Sequence, residues 1–243
     1  MSRSTAERIN TVLATSTVIF AVAGLAFLGY ALSRNPQLFS GRPETHRELN
    51  PYILQVVEEY AKNAQDIKPI PGKDPEFNGA GVTKDIYYRG QRVIKGTTGQ
   101  RCHCIGLVFE IFMTAWERAA RATGRELIVG DGSIETFRKF QKRFYGAEGD
   151  VATMVSGLTE YGLGIPITDW DKVKPGDFVQ LWRICCGGHA SIFIDWLRDS
   201  QGKITGFRLF QCGYESKLGY VDVDFQSYSV DTRAVFFVRP ILP

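Results

Sequence analysis

Histidine and cysteine are scarce in this 243-residue chain, which has three of the first (His46, His103, His189) and five of the second (Cys102, Cys104, Cys185, Cys186, Cys212). An odd cysteine count leaves at least one thiol unpaired in a single chain, and so few exclude a small scaffold held by dense disulfides. Surplus charge is lacking too. Lys and Arg number 29 against 26 Asp and Glu, a net +3 with no basic run, which gives nucleic acid no footprint. Also missing are a GxxxxGK phosphate loop, a GxGxxG between strand and helix, an HExxH pair, an internal repeat and any low-complexity stretch. Nucleotide-phosphate cradles and the commonest zinc-peptidase helix are therefore excluded. What remains, at 44% apolar and 23% charged residues, is a globular composition able to bury a core.

One long apolar run is present. Thr11–Leu32 (TVLATSTVIFAVAGLAFLGYAL) holds 22 residues without a charge. As a helix it spans roughly the 30 Å hydrocarbon layer of a bilayer. The apolar region of a cleaved signal peptide is shorter, about 7–15 residues, although Ala31-Leu32-Ser33 offers a small-x-small cleavage pattern. A buried helix of a soluble domain would show a polar face, and this run has none. The expectation is a single-pass anchor over residues 1–33, a tether over 34–47, and a domain over 48–243 that lies outside the cytoplasm if the N-terminus is inside. Arg3 and Arg8 before the span and Arg34, Arg42 and Arg47 after it leave the orientation open on charge alone.

In the domain, Ile53, Val56, Val57 and Tyr60 recur at helical spacing between Asn50 and Ala64. Residues 68–81 (KPIPGKDPEFNGAG) read as a surface loop. Cys104, Val108, Ile111, Phe112, Ala115 and Ala119 share one helical face, which places Cys104 in the first turn of a packed helix. Further helices are expected around Ser133–Phe144 and Asp150–Tyr161. In GDGSIE (130–135), which lacks the further ligands of a calcium loop, the reading is a turn capping the next helix through Ser133. Ser156-Gly157 lies inside the second of these helices and so is no nucleophile elbow. After the turn signal Lys174-Pro175-Gly176-Asp177 come β-type runs at Phe178–Ile184, Ala190–Trp196, Thr205–Gln211, Tyr220–Val223 and Ala234–Val238. Helices first and strands later, with hairpin-length connections, indicate an α+β fold with a helix packed on an antiparallel sheet.

Cysteine chemistry is the best-supported reaction class. At a helix start, free N–H groups and the positive dipole end favour a thiolate at Cys104, and a nucleophilic cysteine needs that lowered pKa. His189 follows two glycines and opens a strand. One strand later Gln211 ends an apolar run, and its amide oxygen can accept an imidazole N–H and hold the ring. Cys102 reads as a structural neighbour of the helix. Cys102, Cys104, Cys185, Cys186 and His189 together contain enough soft ligands for a tetrahedral zinc site, although Cys-x-Cys spacing is tight for one. Disulfides of Cys102 with Cys185 or Cys186 fit an exported domain.

Four short motifs in order resemble the NlpC-type cysteine peptidases, papain-like bacterial cell-wall hydrolases. They are Tyr87-Tyr88-Arg89-Gly90, Cys104-Ile105-Gly106-Leu107-Val108, Lys174-Pro175-Gly176-Asp177-Phe178-Val179 and Gly188-His189-Ala190-Ser191-Ile192. The resemblance spans roughly residues 85–211, about half the chain. It implies a papain-like fold, Cys104 as nucleophile, His189 as base, Gln211 as the third polar residue and Tyr87 lining the cleft near the oxyanion. Cell-wall peptides are then the implied substrate, with no metal and no cofactor. The sequence departs from the family in two places. His103 stands where an acidic residue usually precedes the nucleophile, and the stretch from Cys104 to His189 is long, with extra helices over 123–165. Rival readings are a catalytically inactive peptide-binding domain of the same fold and a zinc protein. A lipid acyltransferase is disfavoured, because there histidine precedes cysteine.

Overall fold

The computed structural model describes residues 47–146, 151–185, 187–213 and 217–242. The expected anchor over 11–32 and most of the tether lie outside the described residues. Among the described residues no helix is long and apolar enough to cross a membrane.

His46–Pro243 forms one compact unit of α+β class. Four α-helices are described: α1 Asn50–Lys62, α2 Cys104–Thr123, α3 Ile134–Tyr145 and α4 Thr153–Glu160. The strands are β1 Arg47–Glu48, β2 Lys68–Pro69, β3 Ile86–Tyr88, β4 Gln91–Ile94, β5 Arg101–Cys102, β6 Gly164–Ile167, β7 Phe178–Arg183, β8 Gly187–Arg198, β9 Ile204–Gly213, β10 Lys217–Asp224 and β11 Val230–Leu242. A seven-stranded sheet runs in the order β1-β11-β7-β8-β9-β10, with β6 also paired to β11. Its strand pairings are antiparallel. The hairpin-length connections expected from sequence join β7 to β8, β8 to β9 and β9 to β10. β11 begins four residues before the apolar run that marks it, because a bulge between Val230 and Val235 interrupts its alternation there.

Alternation along the central strands feeds two cores. Phe178, Ile192, Phe210 and Val238 join the helix-side core with Val108, Ile111, Phe112 and Ala115 of α2. Their neighbours Val179, Phe193, Leu209 and Phe237 join a second core on which Trp170 and Trp196 stack at 5.3 Å. The helices over 123–165 belong to the first core, α3 through Phe137, Phe140 and Phe144 and α4 through Met154 and Leu158. Ser133 caps α3 as expected, its hydroxyl accepting the Thr136 N–H at 3.1 Å.

The Lys-Pro-Gly-Asp turn is a joint between elements distant in sequence. The carboxylate of Asp177, fully buried, accepts the Lys174 N–H at 2.7 Å, the Asn50 side-chain amide at 2.8 Å and the Arg239 guanidinium at 3.0 and 2.9 Å. One side chain thus ties the start of α1, the entry to β7 and the C-terminal part of β11.

Candidate active site

The helix that carries Cys104 is built to expose a reactive first turn. His103 caps it: Nδ1 accepts the Gly106 N–H at 3.1 Å, while Nε2–H donates to the Gly79 carbonyl at 3.1 Å. Both bonds require the neutral Nε2–H tautomer. Burial favours the same form, holding the imidazole pKa below its ordinary value. In the position where the resembled family carries an acid, this chain therefore caps the helix without placing an anion beside the thiol.

Gly106 explains the glycine two residues after the cysteine. A Cβ there would lie 2.1 Å from the Gly81 carbonyl oxygen and 2.4 Å from that of Ala80, so segment 79–81 rests directly on the first turn of α2. One turn along, the buried Glu110 accepts the Tyr60 hydroxyl and, at 2.6 Å each, the N–H and hydroxyl of Thr83. Glycine allows the approach and glutamate anchors it. Gly106→Ala is expected to lose stability by about 1–3 kcal/mol through overpacking against rigid backbone. In an unconstrained helix interior the same change would gain about 1 kcal/mol. Displacing the thiol by about an ångström is expected to slow turnover on the order of a hundredfold. Urea melts and single-turnover rates check the pair of effects, and a more stable, fully active variant would contradict the packing argument.

Cys104, half-buried, lies close enough to His189 at the start of β8 for the imidazole to act on its thiol. Burial pushes the thiol pKa up, but the positive charge of His189, its hydrogen bond, and the backbone N–H groups of Ala190 and Ile105 outweigh burial and bring it down to about 7. His189 Nε2 lies 2.7 Å from Gln211 Oε1 on β9, which leaves Nδ1 as the ring nitrogen for the thiol. Gln211 is only 5% exposed and so does not stand on the sheet's wet face. The structure thus brings together Cys104, His189 and Gln211 in the order a nucleophile, base and orienting group require.

Tyr87 is not brought to them. It is 58% exposed on β3, and none of the described contacts joins it to Cys104 or His189. Its neighbour Tyr88 is buried, with its hydroxyl accepting the Val129 N–H at 2.8 Å. A tyrosine that does pack at the helix start is Tyr145 at the end of α3, which sequence reasoning missed. Its hydroxyl donates to the Ala80 carbonyl at 2.8 Å and its ring lies 6.2 Å from that of His103. Burial, Glu110 and Cys104 together raise its pKa. No short-range pattern marks it, because the contact spans 65 residues.

The other cysteines divide in an unexpected way. Cys102 and Cys212 are free and buried, and the Cys212 thiol donates to the Cys102 carbonyl at 3.3 Å. A disulfide from Cys102 to Cys185 or Cys186 is thereby corrected: Cys102 turns toward Cys212, while Cys185 is disulfide-bonded. Hydrogen bonding to Cys212 and burial push the Cys102 thiol pKa upward, which makes it inert beside Cys104. Among the described residues no three His, Cys, Asp or Glu side chains converge as a metal site. A hollow of about 430 Å³ lined by Arg125, Glu126, Ile128, Gly130 and Tyr161 includes none of the three site residues.

No protein-family profile, no curated protein and no solved structure matches this chain.

Proposed function

We propose that the chain is a membrane-anchored cysteine hydrolase of papain-like fold, a peptidase or amidase acting on peptidoglycan peptides. The observation that carries this reading is the Cys104 thiol beside His189, whose ring is hydrogen-bonded to Gln211, with the thiol pKa held near 7. The Cys104 thiolate attacks the amide carbonyl, and the positive end of α2 faces the charge that develops. His189 takes the thiol proton and gives it to the departing amine. Water then attacks the thioester, with His189 as base, and returns the free thiol. The uncharged run Thr11–Leu32 anchors the enzyme, and a substrate in the cell wall places the catalytic domain outside the cytoplasm. No cofactor takes part in these steps.

The order of elements supports the papain-like reading, since a cysteine-bearing helix precedes an antiparallel sheet whose adjacent strands hold histidine and glutamine. The substrate class rests on the four sequence motifs alone. Incubating the full-length protein with purified peptidoglycan fragments and following new amino termini by mass spectrometry tests it. Release of defined peptides supports the reading. Intact fragments alongside cleavage of unrelated amides would keep the chemistry and overturn the substrate.

A further inference from the structure

Gln211 meets His189 through an amide, and an amide has two ends. Only Oε1 accepts a proton; if the group turned over, Nε2 would face the ring and demand the opposite imidazole tautomer. Something must choose. Ser191, two residues after His189 on β8 and fully buried, donates its hydroxyl to Gln211 Oε1 at 3.2 Å, the same oxygen that lies 2.7 Å from His189 Nε2. The register explains how it reaches: Ile192 pairs with Phe210, which brings Ser191 and Gln211 to facing positions one step further along β8 and β9.

We infer that Ser191 is a positioning residue for the site, fixing the Gln211 amide so that its oxygen faces His189 and the imidazole keeps Nδ1 free to accept the Cys104 proton. The inference rests on the catalytic reading of Cys104 and His189. Its force comes from burial. A serine hydroxyl has one proton, and a turned amide would deprive that proton of its described acceptor at a place water does not reach. In the turned state His189 would have to accept at Nε2 and carry its proton on Nδ1, against the thiol rather than ready to receive from it. None of the described contacts joins Ser191 to the thiol; its described side-chain partner is Gln211, and it acts through that residue.

The test uses carboxylate chemistry. Glutamate has two oxygens and no wrong end, so Gln211→Glu removes the need for the serine. Iodoacetamide labelling of Cys104 at pH 6 is measured in full-length wild type, in Ser191→Ala, and in Ser191→Ala combined with Gln211→Glu, with a thermal melt of each. Ser191→Ala is expected to label about tenfold more slowly, the factor a single net hydrogen bond supplies, without a matching fall in melting temperature. The double variant is expected to return to within about twofold of wild type, because the orienting oxygen is restored. Wild-type labelling in Ser191→Ala overturns the inference. So does slow labelling that Gln211→Glu leaves unrescued, since a serine needed only for packing gains nothing from a carboxylate. If His189→Ala leaves the wild-type rate unchanged, the catalytic reading itself fails and the role of Ser191 fails with it.

Discussion

Cys104→Ala abolishes turnover and leaves the fold in place. Removing a covalent nucleophile is expected to lower kcat by a factor on the order of 10⁴ or more, because the remaining groups only bind and orient. The fold survives because the thiol is half-buried at a helix start, where one small side chain replaces another; a change in melting temperature within about 3 °C is expected. Cys104→Ser is expected to lose nearly as much. An alcohol is far less acidic than a thiol, so His189 and two backbone N–H groups that hold a thiolate near neutrality cannot hold an alkoxide. The measurement is peptide release from peptidoglycan fragments by each variant, matched for concentration. Activity retained in Cys104→Ala and lost in Cys102→Ala would show that the nucleophile is misplaced.

The largest loss of stability is expected at Asp177, a residue with no part in the chemistry. Its carboxylate is fully buried and its principal partner, Arg239, is only 14% exposed. Asp177→Ala leaves the guanidinium only the more distant Glu48 carboxylate at 3.5 Å as counter-ion, takes one of two acceptors from the Asn50 amide, and leaves the Lys174 N–H without its acceptor. Breaking a buried pair from one side costs about 3–5 kcal/mol, a large share of what holds a domain of this size together. Replacing both partners, as in Asp177→Leu with Arg239→Met, is expected to recover much of the loss, because the cost lies mainly in the orphaned charge. Urea unfolding read as a shift in midpoint at unchanged slope separates these outcomes. A loss below about 1 kcal/mol in the single variant would mean that water or another group takes over the guanidinium.

Much of this architecture is legible before any coordinates. The helix starting at Cys104 shows itself because Val108, Ile111, Phe112, Ala115 and Ala119 repeat at its period, and all five are fully buried. The strands β7 to β11 show themselves because a sheet with a core on each face makes apolar runs bounded by turns. The short pieces β1 to β5 do not, since two to four residues are too few to display a period. In the site, Cys104 and His189 carry local signals: a helix start for one, a pair of glycines and a strand for the other. Gln211 is visible only as a polar residue ending an apolar run. Ser191 and Tyr145 are silent, because what makes them matter is a partner 20 or 65 residues away. Tyr87 shows the same limit: the motif marks its place on β3, but adjacent strand residues face opposite ways and what each tyrosine meets there is set by distant segments.

The most direct test of the central claim is the pH dependence of alkylation at each cysteine of the full-length protein, resolved by mass spectrometry under reducing conditions. A thiol with pKa about 7 is roughly 9% ionised at pH 6, whereas one at its ordinary value of 9.0 is about 0.1% ionised, a hundredfold difference in thiolate. The sign follows from the lowered pKa: labelling of Cys104 rises as pH increases through about 7 and is lost below it. Cys104 is expected to react first, with its midpoint near 7 moving up by one to two pH units in His189→Ala, while Cys102 and Cys212 stay slow throughout. A Cys104 midpoint near that of an ordinary thiol, unmoved by His189→Ala, would contradict the thiolate–imidazole pair on which the account rests.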